Sequence, residues 1–194
     1  MGSRIQCFLL TPTPLLEISL RRFTFSSKQP CVDNSYHNAE ALIGQEEGKQ
    51  PRGDAGGLRF PKDDPRWPKR CEKCGYAFQP EEEWQENYHR LYSGAPDGKL
   101  YTLWNAPAGA MWFTEWRTSG GSIHHQQRGG GAHLFVRTPG GDWDVDSKSS
   151  NGDGWTRTGE PPNVTAHPSI GAGKGEKDGY KYHGWLRNGW LEEC

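Results

Sequence analysis

Cys71-Glu72-Lys73-Cys74-Gly75-Tyr76 is the segment of this chain whose residue types and spacing imply chemistry most directly. Two thiolates separated by two residues can bind one tetrahedral ion, and a glycine after the second cysteine permits the tight turn that aims both sulfurs at one point. Such a knuckle supplies half of a structural zinc site. The other ligands must come from elsewhere. Cys31 and His37, both in a turn-rich stretch, are the first candidates, with His183 and Cys194 next. Two inert thiols or a redox pair would have the same spacing. A redox pair usually opens a helix in a β-α-β setting, and no such pattern surrounds residues 71–76. Five cysteines, an odd number, argue against a fully paired secreted framework and favour a reducing compartment.

The remaining constellations have plainer readings. Asp142, Asp144 and Asp146 alternate with Trp143 and Val145, which places three carboxylates on one strand face. The spacing echoes a calcium loop, but Ser147 stands where that loop needs glycine and Asp153 replaces the closing Glu, so a solvated acidic face is expected. Gly171-Ala172-Gly173-Lys174 lacks the spacing and the hydroxyl residue of a phosphate loop and reads as a flexible turn. His124 and His125 are adjacent and point apart in an extended chain. Arg52-Gly53-Asp54 lies in a stretch with no secretion signal ahead of it and is taken as chance. No nucleophile-elbow or His-Glu-x-x-His pattern occurs, so no catalytic or cofactor-binding residue is assigned.

The elements that must position these residues follow from composition and patterning. Only 32% of the 194 residues are hydrophobic and the mean hydropathy is −0.92, while nine Trp, seven Tyr and seven Phe replace missing aliphatics, so a core built on few large rings is expected. Glycine and proline, 26 and 14 of them, imply many turns and little long helix. A net charge of −1 without a basic block gives no reason to expect a nucleic-acid partner, and no stretch of 18 apolar residues is present to span a membrane. The apolar residues Cys7 to Leu10 are interrupted soon after by Pro12, Pro14 and Glu17, so they read as mature structure and not as a signal core.

A single soluble domain over residues 1–194 is expected, mainly β. The anticipated form is an antiparallel meander or small sandwich with one short helix and a zinc-knuckle-like turn. Strands are predicted near 5–10, 18–25, 100–104, 110–116, 133–137 and 143–146, with a short helical or extended piece at 38–44. The helix is predicted over Glu81 to Tyr92, where Pro80 precedes an acidic first turn and Trp84, Tyr88 and Leu91 share one face. Mobile loops are expected at about 45–66 and, Gly-rich, at about 117–132. Trp104, Trp112, Trp143 and Trp155 are assigned to the core. Asn188-Gly189 predicts a hairpin joining strands 181–187 and 190–193, with Trp185 buried beside Trp190 and His183 left reachable beside Gly184.

Several longer phrases carry a resemblance. They are Tyr36-His37-Asn38-Ala39-Glu40, Asp64-Pro65-Arg66-Trp67-Pro68, Cys71-x-x-Cys74-Gly75-Tyr76 and Asn105-Ala-Pro-x-Gly109-Ala110-Met111-Trp112. Arg137 to Asp146, Trp155 to Pro162 and Tyr182 to Gly189 complete the set. Together they resemble a family of uncharacterised proteins encoded by tailed bacteriophages and their prophages. The resemblance implies a phage protein and carries no activity with it; the lack of any nucleophile or cofactor motif favours a non-enzymatic, metal-stabilised one with a structural or interaction role. Its partners would be other phage proteins or another copy of itself, and its place the host cytoplasm during infection or the virion. The alternative is a small phage-encoded enzyme or ligand-binding module acting in the infected host. At the end of the chain, Pro168-Ser169-Ile170 with His183-x-Trp185-Leu186-x-x-Gly189 is similar to a small, zinc-binding-like bacterial domain of unknown function. Tyr180 stands where that domain has a late cysteine.

Overall fold

The computed structural model describes residues 3–25, 29–32, 36–49, 57–114, 132–147, 156–175 and 179–194. Among the described residues, twelve strands, β1 (Arg4–Gln6), β2 (Phe8–Leu9), β3 (Thr11–Thr24), β4 (His37–Glu47), β5 (Glu83–Ser93), β6 (Ala110–Thr114), β7 (His133–Thr138), β8 (Gly141–Asp144), β9 (Thr156–Thr158), β10 (Thr165–Lys174), β11 (Tyr180–Arg187) and β12 (Trp190–Glu193), are the regular elements. The expected mainly β, antiparallel character holds. No α-helix occurs among the described residues, and none is therefore long and apolar enough to cross a membrane. The chain divides into two compact units, one of Pro12–Leu91 and one of Met1–Thr11 with Tyr92–Cys194.

In the Pro12–Leu91 unit, β3 is central in a three-stranded sheet of order β4-β3-β5. Leu16, Ile18 and Leu20 alternate along β3 and are buried, as period-two patterning requires. Thr24 pairs with His37 and Leu15 with Glu47, with one register shift after Ile18. The helix expected over Glu81 to Tyr92 is strand β5 instead. The spacing of Trp84, Tyr88 and Leu91 imitates a helical face, but these rings also suit a pleated surface, and pairing with the long β3 outweighs the weak local preference. The acidic residues have another use. Glu82 accepts hydrogen bonds from the Tyr76 hydroxyl (2.8 Å) and the Gln79 amide (2.7 Å). Of residues 45–66, Gln45–Glu47 belong to β4, and residues 57–66 form turns tied by the Arg59–Glu46 and Arg66–Asp64 ion pairs. Arg52-Gly53-Asp54 lies outside the described residues.

The other unit is a two-layer sandwich. A five-stranded sheet of order β1-β12-β11-β10-β9 faces a four-stranded sheet of order β2-β6-β7-β8. Met111, Leu134, Val136, Trp143 and Val145 from one layer pack against Val164, Ala166, Ile170, Tyr182, Leu186 and Leu191 from the other. All pairings in these sheets are antiparallel except the short β2–β6 ladder. The opposite face of the four-stranded sheet carries a second cluster around Trp112, Ala110, Leu10, Ala95 and Ala106.

Trp112 and Trp143 are core residues, as expected, but Trp104 is 79% exposed. Residues 100–104 form no strand; only Tyr101 bridges to Tyr92, and the following turn sends Leu103 inward and the Trp104 ring out. Trp155 and the Gly-rich segment 117–131, with His124 and His125, lie outside the described residues. Gly171–Lys174 is not a free turn but the end of β10.

The predicted terminal hairpin is present. Asn188 and Gly189 adopt φ of 43° and 74°, the left-handed pair that a two-residue turn demands, and Leu186 faces Leu191 across it. Tyr182, Gly184 and Leu186 point inward. Trp185 and Trp190 are only half-buried, lying against the Arg187 and Arg4 guanidinium groups, because the inward positions beside them are taken by Leu186 on β11 and Leu191 on β12. Since β11 is paired on both sides, deleting residues 181–194 is expected to unfold the sandwich, whereas the exposed His183→Ala should stay within about 0.5 kcal/mol of wild type. Thermal denaturation followed by circular dichroism checks both; a truncated chain with the native melting temperature would refute the first.

Candidate metal centre

Three short segments of the Pro12–Leu91 unit meet at one point. The knuckle is closed by the Arg70–Ala77 bridge, with the Cys71 amide donating to Tyr76 O (2.8 Å) and the Gly75 amide to Cys71 O (3.0 Å). Gly75 has φ of 76°, which any side chain would strain, so the glycine sits where the turn needs it. The knuckle lies along the outer edge of β4. The Glu72 amide donates to Asn38 O (3.1 Å), the Glu40 amide to the Glu72 carboxylate (2.9 Å) and the Asn38 amide to Cys71 Sγ (3.4 Å). These bonds partly satisfy an edge that would otherwise present open backbone groups. His37 opens β4, and Cys31 is in the connection that precedes it.

The ligand atoms of Cys31, His37, Cys71 and Cys74 all lie within 4.8 Å of one another. Cys31 Sγ is 3.8 Å from Cys71 Sγ and 3.7 Å from Cys74 Sγ, and His37 Nδ1 is 3.2 Å from Cys74 Sγ. Cys31, His37 and Cys71 are buried, and Cys74 is exposed. His37 Nε2 is 2.7 Å from Gln29 O. Since a carbonyl only accepts, Nε2 carries the proton and Nδ1 is left with its lone pair toward the sulfurs, the arrangement of a metal-ligating imidazole with its outer partner. The Tyr76 ring stacks on the imidazole at 4.1 Å with an interplanar angle of 14°, and its hydroxyl is anchored on Glu82. The residues that fix His37 in place are thus Gln29 and Tyr76. Neither had a metal-ligand signature in the sequence, although Tyr76 belongs to the knuckle phrase itself.

Burial pushes the Cys71 thiol up, but the amides of Asn38, Cys74 and Lys73 pull it further down, to about 6 against an ordinary 9.0. A depressed value means that the folded state holds the thiolate where the unfolded chain still holds the thiol. The resulting stability is fully present above about 9 and is lost as pH falls through about 6. Cys7 behaves oppositely. Burial drives it to about 12, a partial opposing effect coming from the Leu191 backbone, so it remains an inert thiol.

The cluster does not include the other candidates, His183 and Cys194. His183 projects outward from β11, with Nε2 3.3 Å from Ser169 Oγ and its ring beside Tyr180. The acidic triplet also departs from the solvated face expected of it. Asp142 pairs with Arg137 and Asp146 with Arg157, while Asp144 is buried, with its carboxylate oxygens 2.9 and 3.1 Å from His133 Nδ1. The two-residue turn at Pro139-Gly140 sets this register, with Phe135 opposite Asp144 and His133 next along the same face. His133 Nε2 is buried without a hydrogen-bond partner among the described residues.

No family model matches the chain, and no curated protein or solved structure does either.

Proposed function

We propose that this protein is a metal-stapled β module with a non-enzymatic, structural or interaction role, and that the metal is zinc bound by Cys31, His37, Cys71 and Cys74. The observation that carries this reading is the convergence of four ligand atoms within 4.8 Å, three of them on buried residues, with the His37 proton turned away onto Gln29. Three thiolates and one imidazole make a closed tetrahedral set. Such sets suit zinc and leave no open position for a substrate, which is the mark of a structural site and not a catalytic one. The resemblance to phage proteins extends the reading to a virion or assembly role with other phage proteins, or a second copy, as partner. Elemental analysis of the purified protein is expected to give about one zinc per chain. Metal-free protein with all three thiols freely reactive in the native state would overturn the site.

A second reading, a ligand-binding module or enzyme acting in the host, is favoured by the His133–Asp144 pair. A carboxylate-held imidazole whose other nitrogen is buried and unpartnered resembles a group waiting for a donor. Small molecules that raise the melting temperature of wild type but not of His133→Gln would support this second reading. The two roles also separate by location, since a virion component is detected by mass spectrometry in purified particles and a host-acting protein only in the infected-cell lysate.

A further inference from the structure

The metal cluster contains one asymmetry that its stapling role does not require. Of its three cysteines, Cys71 and Cys31 are buried residues and Cys74 is an exposed one. The Cys74 sulfur lies 3.7 Å from the Cys31 sulfur, and His37 Nδ1 is 3.2 Å from it. We propose that Cys74 is an oxidant-accessible modification site and Cys31 its resolving thiol, so that hydrogen peroxide converts the metal-bound dithiolate into a Cys31–Cys74 disulfide and ejects the ion. This inference rests on the metal-site reading above.

The chemistry balances without a further reagent. The Cys74 thiolate attacks one peroxide oxygen; an S–O bond forms, the O–O bond breaks, and the departing hydroxide takes a proton to become water. The product is a sulfenic acid. The Cys31 thiolate then attacks Cys74 Sγ. An S–S bond forms, the S–O bond breaks, and the second hydroxide leaves as water with a second proton. Two thiolates thus lose two electrons, and one peroxide and two protons become two waters. The sulfurs must close from 3.7 Å to the ~2.05 Å of a disulfide. Cys71 and His37 are then the only remaining ligands, and two ligands do not retain zinc in competition with solvent. A dithiol reductant reverses the step and restores the site when zinc is supplied.

Cys31 is preferred over Cys71 as the resolving thiol because of what surrounds each. Cys71 Sγ accepts the Asn38 amide, and its backbone is bonded on both sides of the knuckle turn. Cys31 comes from a separate segment with no place in the knuckle bridge. The two thiols outside the cluster provide internal controls, since Cys7 is buried and Cys194 is exposed.

The test uses full-length wild type and Cys194→Ser, each assayed for zinc before treatment and then exposed to hydrogen peroxide. Released zinc is read with a chromogenic chelator and the thiol pairing by peptide mapping under non-reducing conditions. Loss of about one zinc per chain, a Cys31–Cys74 disulfide in both proteins and recovery of zinc binding after dithiothreitol are expected. Oxidation of Cys194 in wild type while the cluster stays reduced would overturn the inference, as would a Cys71–Cys74 disulfide or zinc loss through sulfinate without a disulfide. Zinc content before treatment reports on the metal-site reading and the disulfide pairing on this inference, so each can fail on its own.

Discussion

Treating the full-length protein with a strong chelator is expected to unfold the Pro12–Leu91 unit, with loss of protease resistance across residues 12–91. The large apolar side chains buried there among the described residues are Leu16, Ile18, Leu20, Leu91 and Trp67, the last also donating its indole N–H to Pro61 O at 2.9 Å. A core this lean leaves little surplus over the conformational entropy of ordering the chain, and small units of this kind commonly depend on a staple. A structural zinc contributes on the order of 10 kcal/mol of binding free energy coupled to folding, comparable to the whole stability of a typical domain. Cys71→Ser is expected to mimic chelation even with zinc in excess, because it removes a ligand from the knuckle turn and leaves the Asn38 amide facing a weaker acceptor. Limited proteolysis with and without chelator measures the effect. Identical digestion patterns would mean that the ion, if bound, carries none of the fold.

Trp112→Ala is expected to cost about 3–5 kcal/mol, the largest effect anticipated for a single substitution in the sandwich unit. The Trp112 ring is 4% exposed and stacks on Phe135 at 5.9 Å and 17°. It anchors a cluster whose other fully buried members are one leucine and three alanines. None of these side chains is large enough to fill the void a truncated Trp would leave, so both transfer and cavity terms are incurred. Trp104→Ala is the matched control. Its ring is mostly in water, so its denaturation midpoint should move much less. Equal shifts for the two variants would show that burial does not separate these tryptophans energetically.

The sequence by itself determined those features whose causes are local. The knuckle was legible because Cys-x-x-Cys-Gly encodes its own turn, and Gly75 adopts the left-handed φ that turn requires. The terminal hairpin was legible because Asn188-Gly189 is chemically committed to a left-handed pair, which then fixes Leu186 opposite Leu191. The mainly β character followed from scattered glycine and proline between short runs of rings and β-branched residues. Tertiary structure decided the rest. Residues 81–92 have a helical face by spacing, yet they become β5 because a long-range ladder with β3 outweighs fractions of a kcal/mol of local preference. Trp104 and Trp112 are equally strand-like in sequence, but only Trp112 is buried, in the cluster with Leu10 and Ala110. Asp144 sits in the middle of an alternating acidic run. It becomes a buried partner of His133 because the Pro139-Gly140 turn sets the register of β7 against β8. The convergence of Cys31, His37 and the knuckle belongs to both. Their side-chain chemistry marks them as a possible ligand set in the sequence, but their meeting depends on β4 pairing with β3 and on the knuckle bonding to the edge of β4. No local signal encodes a distance between segments 40 residues apart in the chain.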